Sequence, residues 1–242
     1  MPAVNWDEER IAAETLRYLG AAGAGAELTA QARRAARELQ AWAELTAQAR
    51  RAARELQAWA EPRWAFRLDR VLPAAGGMTL PNMNLALPGE LASRMLGDCE
   101  KAVLLVCTLG ARFAARLRQL AARSMAEAVV ADACGSAMVE AACDRAEEEI
   151  AARYAPLHLT DRFSPGYGDL PLHVQAPLTA AVEAEKLLGV TVTDSFLLNP
   201  AKTVTAVIGL SQRPQPARVR GCAHCNLRES CRLRRKGESC AV

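Results

Sequence analysis

The chain has 242 residues, 51% of them hydrophobic but only 5% aromatic, with 30 basic and 27 acidic residues for a formal charge of +3. That length can bury a sizeable core, and the many alanines favour helix while contributing little burial per residue. No apolar run approaches the roughly 20 residues needed to cross a bilayer, and Met1–Arg10 is too polar and acidic to resemble an export signal, so the expectation is a cytoplasmic protein with no membrane contact.

Asp7 can cap a first helix whose positions Ile11, Thr15, Tyr18 and Leu19 share a face and which Gly20 stops. Next, the 17 residues Ala26–Trp42 are repeated without change as Ala43–Trp59. Leu28, Ala32, Ala35, Leu39 and Trp42 mark a helical stripe, but the repeat length turns the second copy by roughly 100° about the axis. The copies therefore cannot fill one groove in the same way. The bland expectation is a surface-tolerated duplication, and the alternative is an extended helix that contacts a partner.

Glu61-Pro62 ends this helix, and Arg63–Val71 alternates as a strand. Gly76, Gly77, Pro81 and Pro88 predict an irregular stretch before a short helix at Glu90–Leu96. Ala102–Cys107 reads as a buried strand that Thr108-Leu109-Gly110 turns into a helix from Ala111 to about Ser124. A long helix follows over Met125–Tyr154, with Val129, Ala133, Ala137, Ala141 and Ile150 on one small-residue face, and Pro156 stops it. Pro177–Leu188 is predicted helical, Gly189 breaks it, and Val190–Thr193 and Thr203–Gly209 are predicted strands. Strands separated irregularly by helices indicate an α+β fold, with helices on a twisted, largely antiparallel sheet, a helical N-terminal part and a cysteine-rich C-terminal tail. The expected division is 1–62, 63–212 and 213–242.

The segment Arg162-Phe163-Ser164-Pro165-Gly166-Tyr167-Gly168-Asp169 combines an arginine fork suited to a carboxylate, a glycine that allows close approach to the backbone and an aromatic. On chemistry alone it can be a ligand loop or a structural turn. It resembles the R-x-x-x-G-Y loop of the activation domain of cobalamin-dependent methionine synthase. Thr15–Gly20, Val103–Gly110 and Gly189–Gly209 are also similar to the separate, single-domain members of that family, so the likeness runs in order over roughly residues 5–210.

The resemblance implies an S-adenosylmethionine site in which Arg162 holds the ligand carboxylate. Ser164, Pro165 and Gly166 would line the site, and Tyr167 would support it from the side. Asp169, Thr193, Asp194 and Ser195 fall in matching segments without an assigned contact. Three departures stand out: the second copy of the Ala26–Trp42 helix is surplus, Val207 and Ile208 stand where full-length members carry an aromatic over the ligand, and the full-length members end without a cysteine cluster.

The family implies an accessory methyl-transfer subunit that supports reductive methylation of cobalamin. His158, His173 and His224 lack the D-x-H-x-x-G context of a cobalt ligand, so the cobalamin is expected on a partner, a methionine synthase lacking its own activation domain. A flavodoxin-like or ferredoxin-like electron donor completes that picture. Another corrinoid methyl-transfer system is an alternative client.

Of the eight cysteines, Cys99, Cys107, Cys134 and Cys143 lie in apolar or helical segments and are expected as buried free thiols. Cys222, Cys225, Cys231 and Cys240, spaced C-x2-C-x5-C-x8-C, suit an iron–sulfur cluster or a structural zinc. From Arg213 onward eight basic and two acidic residues give +6, leaving about −3 for the body. The tail lacks aromatics interleaved for base stacking, so an acidic protein partner is favoured over nucleic acid. A metal-binding regulator that contacts nucleic acid through this tail is the alternative from a different class.

Overall fold

The computed structural model describes residues 32–216 and 232–235, with side chains described from residue 44 to 216 and at 234–235. A helix α1 (Ala32–Gln57) leads into β1 (Arg63–Arg70), then three short strands, β2 (Leu72–Ala74), β3 (Gly77–Leu80) and β4 (Leu85–Pro88). Helix α2 (Glu90–Leu96) and strand β5 (Lys101–Thr108) follow, then helices α3 (Gly110–Arg123) and α4 (Met125–Arg153). The chain continues through β6 (His158–Leu159), α5 (Gln175–Ala181), α6 (Ala184–Leu188), β7 (Thr191–Val192), β8 (Leu198–Asn199) and β9 (Thr203–Ser211). Arg232–Arg235 is a further helical turn.

The central sheet has the order β1-β5-β9-β6, and every pairing is antiparallel. Its middle strands are covered on both faces, which explains the near-continuous apolar run of β5. Side chains alternate across a strand: Val103, Leu105 and Cys107 point to one core with Ala206, Ile208 and Leu210 of β9, while Ala102, Leu104 and Val106 point to a second core with Val207. Helices α1, α3 and α4 complete the first core, and α2, α5, α6 and the β2–β4 meander complete the second. This is the α+β arrangement of helices on an antiparallel sheet that the sequence predicts.

The meander replaces the irregular stretch expected around Gly76–Pro88. Its strands are too short and too rich in proline to show a period, yet Met78, Leu80, Leu85 and Leu87 are all buried. The helix predicted over Pro177–Leu188 is two helices, because Glu183 between them takes a left-handed φ of 57°. The side chain of Glu183 pairs with Arg67 of β1, and Arg63 donates to Leu188 O at 3.1 Å. Two edge-strand arginines thus tie α6 over an otherwise open sheet edge.

The predicted small-residue face of α4 is only partly right. Ala133, Ala137 and Ile150 are buried, but Val129 is half exposed and Ala141 lies outside the core. Ser124 caps this helix by accepting from Glu127 N at 3.3 Å. Cys99, Cys107, Cys134 and Cys143 are buried free thiols.

The second copy of the repeat packs against the sheet side of the protein. Ala49, Ala53 and Leu56 are fully buried, Ala53 and Leu56 join the first core, and Ala52 and Trp59 pack against it. Burying Leu56 contributes on the order of 2 kcal/mol. The copy that the resemblance leaves surplus, Ala43–Trp59, thus contributes side chains to the core. Among the described residues no helix is long and apolar enough to cross a membrane.

Candidate functional site

The chain leaves β6 still tied to β9. Thr160 N donates to Gly209 O at 3.0 Å, and Gly209 N donates back to Thr160 Oγ1 at 2.9 Å. Phe163 and Val207 then exchange backbone bonds of 3.1 and 2.8 Å, and both side chains are fully buried in the second core. Alternation along this extended segment sends Arg162 to the opposite side, toward α4.

There the guanidinium meets three carboxylates from one face of α4. Nη1 donates to Asp144 Oδ1 at 2.8 Å and to Glu147 Oε1, and Nη2 donates to Glu140 Oε2 at 2.5 Å. The acids lie at i, i+4 and i+7, the spacing that lines side chains along one helical face. The Arg162 side chain is only 10% exposed. Burial alone would disfavour its charge, but the carboxylates of Glu147 and Glu140 act against that, and its pKa lies above the ordinary range. Cys143 itself is held as a neutral thiol, its pKa raised by a hydrogen bond with Cys107 and by burial.

Beyond Arg162 the chain makes a tight double turn. Tyr167 N donates to Ser164 O at 3.0 Å, Leu170 N to Tyr167 O at 2.9 Å, and Gly166 N to Leu170 O at 2.8 Å. Gly166 sits at φ 91°, a conformation that side-chain-bearing residues rarely adopt. This turn delivers Asp169 to the start of α2, where its carboxylate accepts from Glu90 N at 2.6 Å and Leu91 N at 3.0 Å. Those amides, Leu91 first and then Glu90, hold the Asp169 carboxyl below its ordinary value. Gly89 is required there, because a Cβ on it would lie 2.7 Å from Asp169 Cγ.

Glu140, Arg162, Ser164 and Tyr167 line one side of a cavity of about 220 Å³, and Gln175, Leu198 and the Thr203–Thr205 stretch of β9 line the other. Gln175 is buried and links two walls: its Oε1 accepts from Thr205 Oγ1 at 2.7 Å, and its Nε2 donates to Phe196 O at 2.7 Å. Tyr167 is 49% exposed.

Of the residues singled out in the sequence, the structure brings Arg162, Ser164 and Tyr167 to this cavity. Pro165 and Gly166 shape the turn between them and are not among its lining residues. Asp169 is a helix cap. Thr193 Oγ1 accepts from Leu197 N and pairs with Ser195 Oγ, both at 3.0 Å, so these two hydroxyls hold their own turn, with Asp194 exposed beside them. Val207 and Ile208 are buried on opposite faces of β9 and do not reach the cavity.

Sequence reasoning missed Glu140, Gln175, Thr203 and Thr205. The acidic i, i+4, i+7 row of α4 was a usable signal, whereas Gln175 and the threonines had none. Cys222, Cys225, Cys231 and Cys240 lie outside the described residues. Among the described residues no cluster of three or more His, Cys, Asp or Glu side chains is placed to hold a metal ion.

No protein-family model matches the chain, and no curated protein matches it by sequence. Its structure is similar to the crystal structure of the MetH reactivation domain bound to AdoHcy, with a TM-score of 0.54 and 16% sequence identity, covering 96% of this chain and 83% of that chain. Such a likeness shows common architecture: the chain has the mixed helix-and-antiparallel-sheet fold of that reactivation domain.

Proposed function

We propose that this chain binds S-adenosylmethionine in the cavity beside Arg162 and, as a separate subunit, supports reductive methylation of the cobalamin of a methionine synthase that lacks its own activation domain. The observation that carries the reading is the convergence of Arg162, Ser164 and Tyr167 on one cavity, in a chain with the fold of a reactivation domain crystallised with AdoHcy.

The residues present suit that ligand. A guanidinium has more N–H donors than the three bonds to α4 consume, so Arg162 retains capacity for a ligand carboxylate. The half-exposed ring of Tyr167 offers a flat apolar face. The ligand would supply a methyl group on a sulfonium. The protein's part is to hold that group in line with the acceptor, which needs positioning and no general acid or base.

Leu172, Phe196 and Leu197, exposed on the two segments that flank the cavity, suit coverage by a cobalamin-carrying partner. Reduction of the cobalt would fall to a flavodoxin-like or ferredoxin-like donor, and the basic cysteine-rich tail is a place for such a partner or for a metal centre.

Titration calorimetry with S-adenosylmethionine tests the binding, and co-purification analysed for a cobalamin protein tests the client. A protein that fails to bind the ligand at millimolar concentration, with or without its corrinoid partner, would refute the proposal.

A further inference from the structure

A second cavity opens between helices, apart from Arg162. One face of α1 supplies Gln48, Arg51, Ala52, Glu55 and Leu56, spaced i, i+3, i+4, i+7 and i+8. The facing side of α3 supplies Arg116, Leu120 and Arg123, and Ser124 with the first turns of α4 closes one end. The volume is about 570 Å³, against about 220 Å³ beside Arg162, and the two cavities share no lining residue. That size falls within the roughly 300–1,000 Å³ usual for small-molecule sites. Leu56 and Ala131, each 1% exposed, form an apolar floor with Leu120 and Val130.

Charge sets the chemistry of an occupant. Three guanidiniums reach this cavity from two helices, and among the described residues Arg51, Arg116 and Arg123 make no ion pair. Glu55 and Glu127 share the lining, yet neither pairs with any of the three, and the balance of charge stays positive. Arg116 is already ordered, its guanidinium 5.5 Å from the centroid of the Trp59 ring. The rest of α3 adds no acid to compete with a bound anion. One guanidinium fork satisfies a carboxylate, whereas three around one cavity match the several oxygens of a phosphate. The lining holds no aromatic ring on which a base or flavin could stack, so the body it suits is aliphatic. We infer that this cavity binds a phosphate monoester carried on an aliphatic body. Arg51, Arg116 and Arg123 meet the phosphate, and the floor at Leu56, Leu120, Val130 and Ala131 takes the body. The inference stands apart from the assignment of the Arg162 cavity.

Calorimetric titrations of the full chain with hexyl phosphate, inorganic phosphate, hexanoate and hexanol test this, at a mildly alkaline pH where the monoester is dianionic. Hexyl phosphate should bind about 10-fold or more tighter than each of the others, since only it joins a dianion to an apolar body. Arg51→Gln and Arg123→Gln, both at exposed positions, should each weaken hexyl phosphate by about 5- to 10-fold. Glu55→Gln, which removes a repelling charge, should tighten it by about 2-fold, a change that a purely structural role would not produce. A second measurement needs no variant: added salt should weaken hexyl phosphate and leave hexanol unaffected. Hexanoate or hexanol binding as tightly as hexyl phosphate overturns the inference. So does unchanged affinity in both folded arginine variants, or a wild-type protein that takes up no hexyl phosphate at millimolar concentration.

Discussion

Arg162 Nη1 lies 2.8 Å from Asp144 Oδ1, and this ion pair fastens the loop after β6 to the middle of α4. Because Phe163 is held to Val207 on the other side, Arg162 is fixed between a strand and a helix rather than presented on a mobile loop. A ligand arriving at the cavity meets a preorganised guanidinium, and little ordering entropy is left to lose on binding.

Removing that guanidinium therefore affects stability and binding together. Arg162→Ala leaves three partly buried carboxylates facing one another, which should destabilise the fold by about 2–3 kcal/mol after allowance for their solvent exposure. It should weaken S-adenosylmethionine binding by about 1.5–3 kcal/mol through loss of a charge-assisted bond. Urea unfolding and calorimetry measure the two effects separately. Arg162→Lys keeps the charge but loses the fork, so it should recover part of the stability and little of the affinity.

The tandem repeat makes a prediction with an unusual control. Deleting Ala26–Trp42 or Ala43–Trp59 yields the same amino-acid sequence, in which Ala32, Ala36 and Leu39 can take the places of Ala49, Ala53 and Leu56. The shortened protein should melt within about 3 °C of the full chain and bind ligand equally, because either copy supplies the same alanine and leucine positions to the core and a change of segment length costs little. By contrast, Leu56→Ala in the full chain should cost about 2–4 kcal/mol. A large fall in melting temperature on deletion would mean that both copies belong to the working structure.

Asp169 joins the loop after β6 to α2 through two amide bonds, and its pKa is depressed by them. A group whose folded pKa lies below its unfolded value stabilises the protein above the unfolded pKa, about 4 for aspartate, and that contribution is lost as pH falls through the folded value. Protection of the Glu90 and Leu91 amides, measured as exchange relative to the unfolded-chain rate at the same pH, should accordingly fall as the pH drops below about 4 in the wild type. In Asp169→Ala that protection should be low at every pH.

Cys222, Cys225, Cys231 and Cys240 are expected to bind one metal centre together, with iron–sulfur slightly favoured over zinc, since metal ligation can supply folding energy to a segment too polar to build its own core. Anaerobic purification with metal analysis and visible absorption decides the matter. Colourless protein with one zinc would remove the idea of an electron relay, and protein that takes up no metal after reconstitution would remove the site.

The sequence alone carried the parts of this protein that depend on local pattern. The buried strand Ala102–Cys107, the long α4 and the glycine-containing loop at Arg162–Tyr167 could all be read from periodicity, stop signals and residue chemistry, because each signal lies within a few residues of what it specifies. The meander was invisible because its burial comes from packing under α2 and α5, which overrides the turn signals of Gly76, Gly77 and Pro81. The break at Glu183, whose side chain pairs with Arg67 of a distant strand, likewise has no signal in the residues around it. Only the tertiary structure could set Glu140 beside Arg162 and close the cavity with Gln175 and Thr205. These residues lie 22, 13 and 43 positions from Arg162 in the chain, and a charge has no local signature of the partner it will meet across a fold.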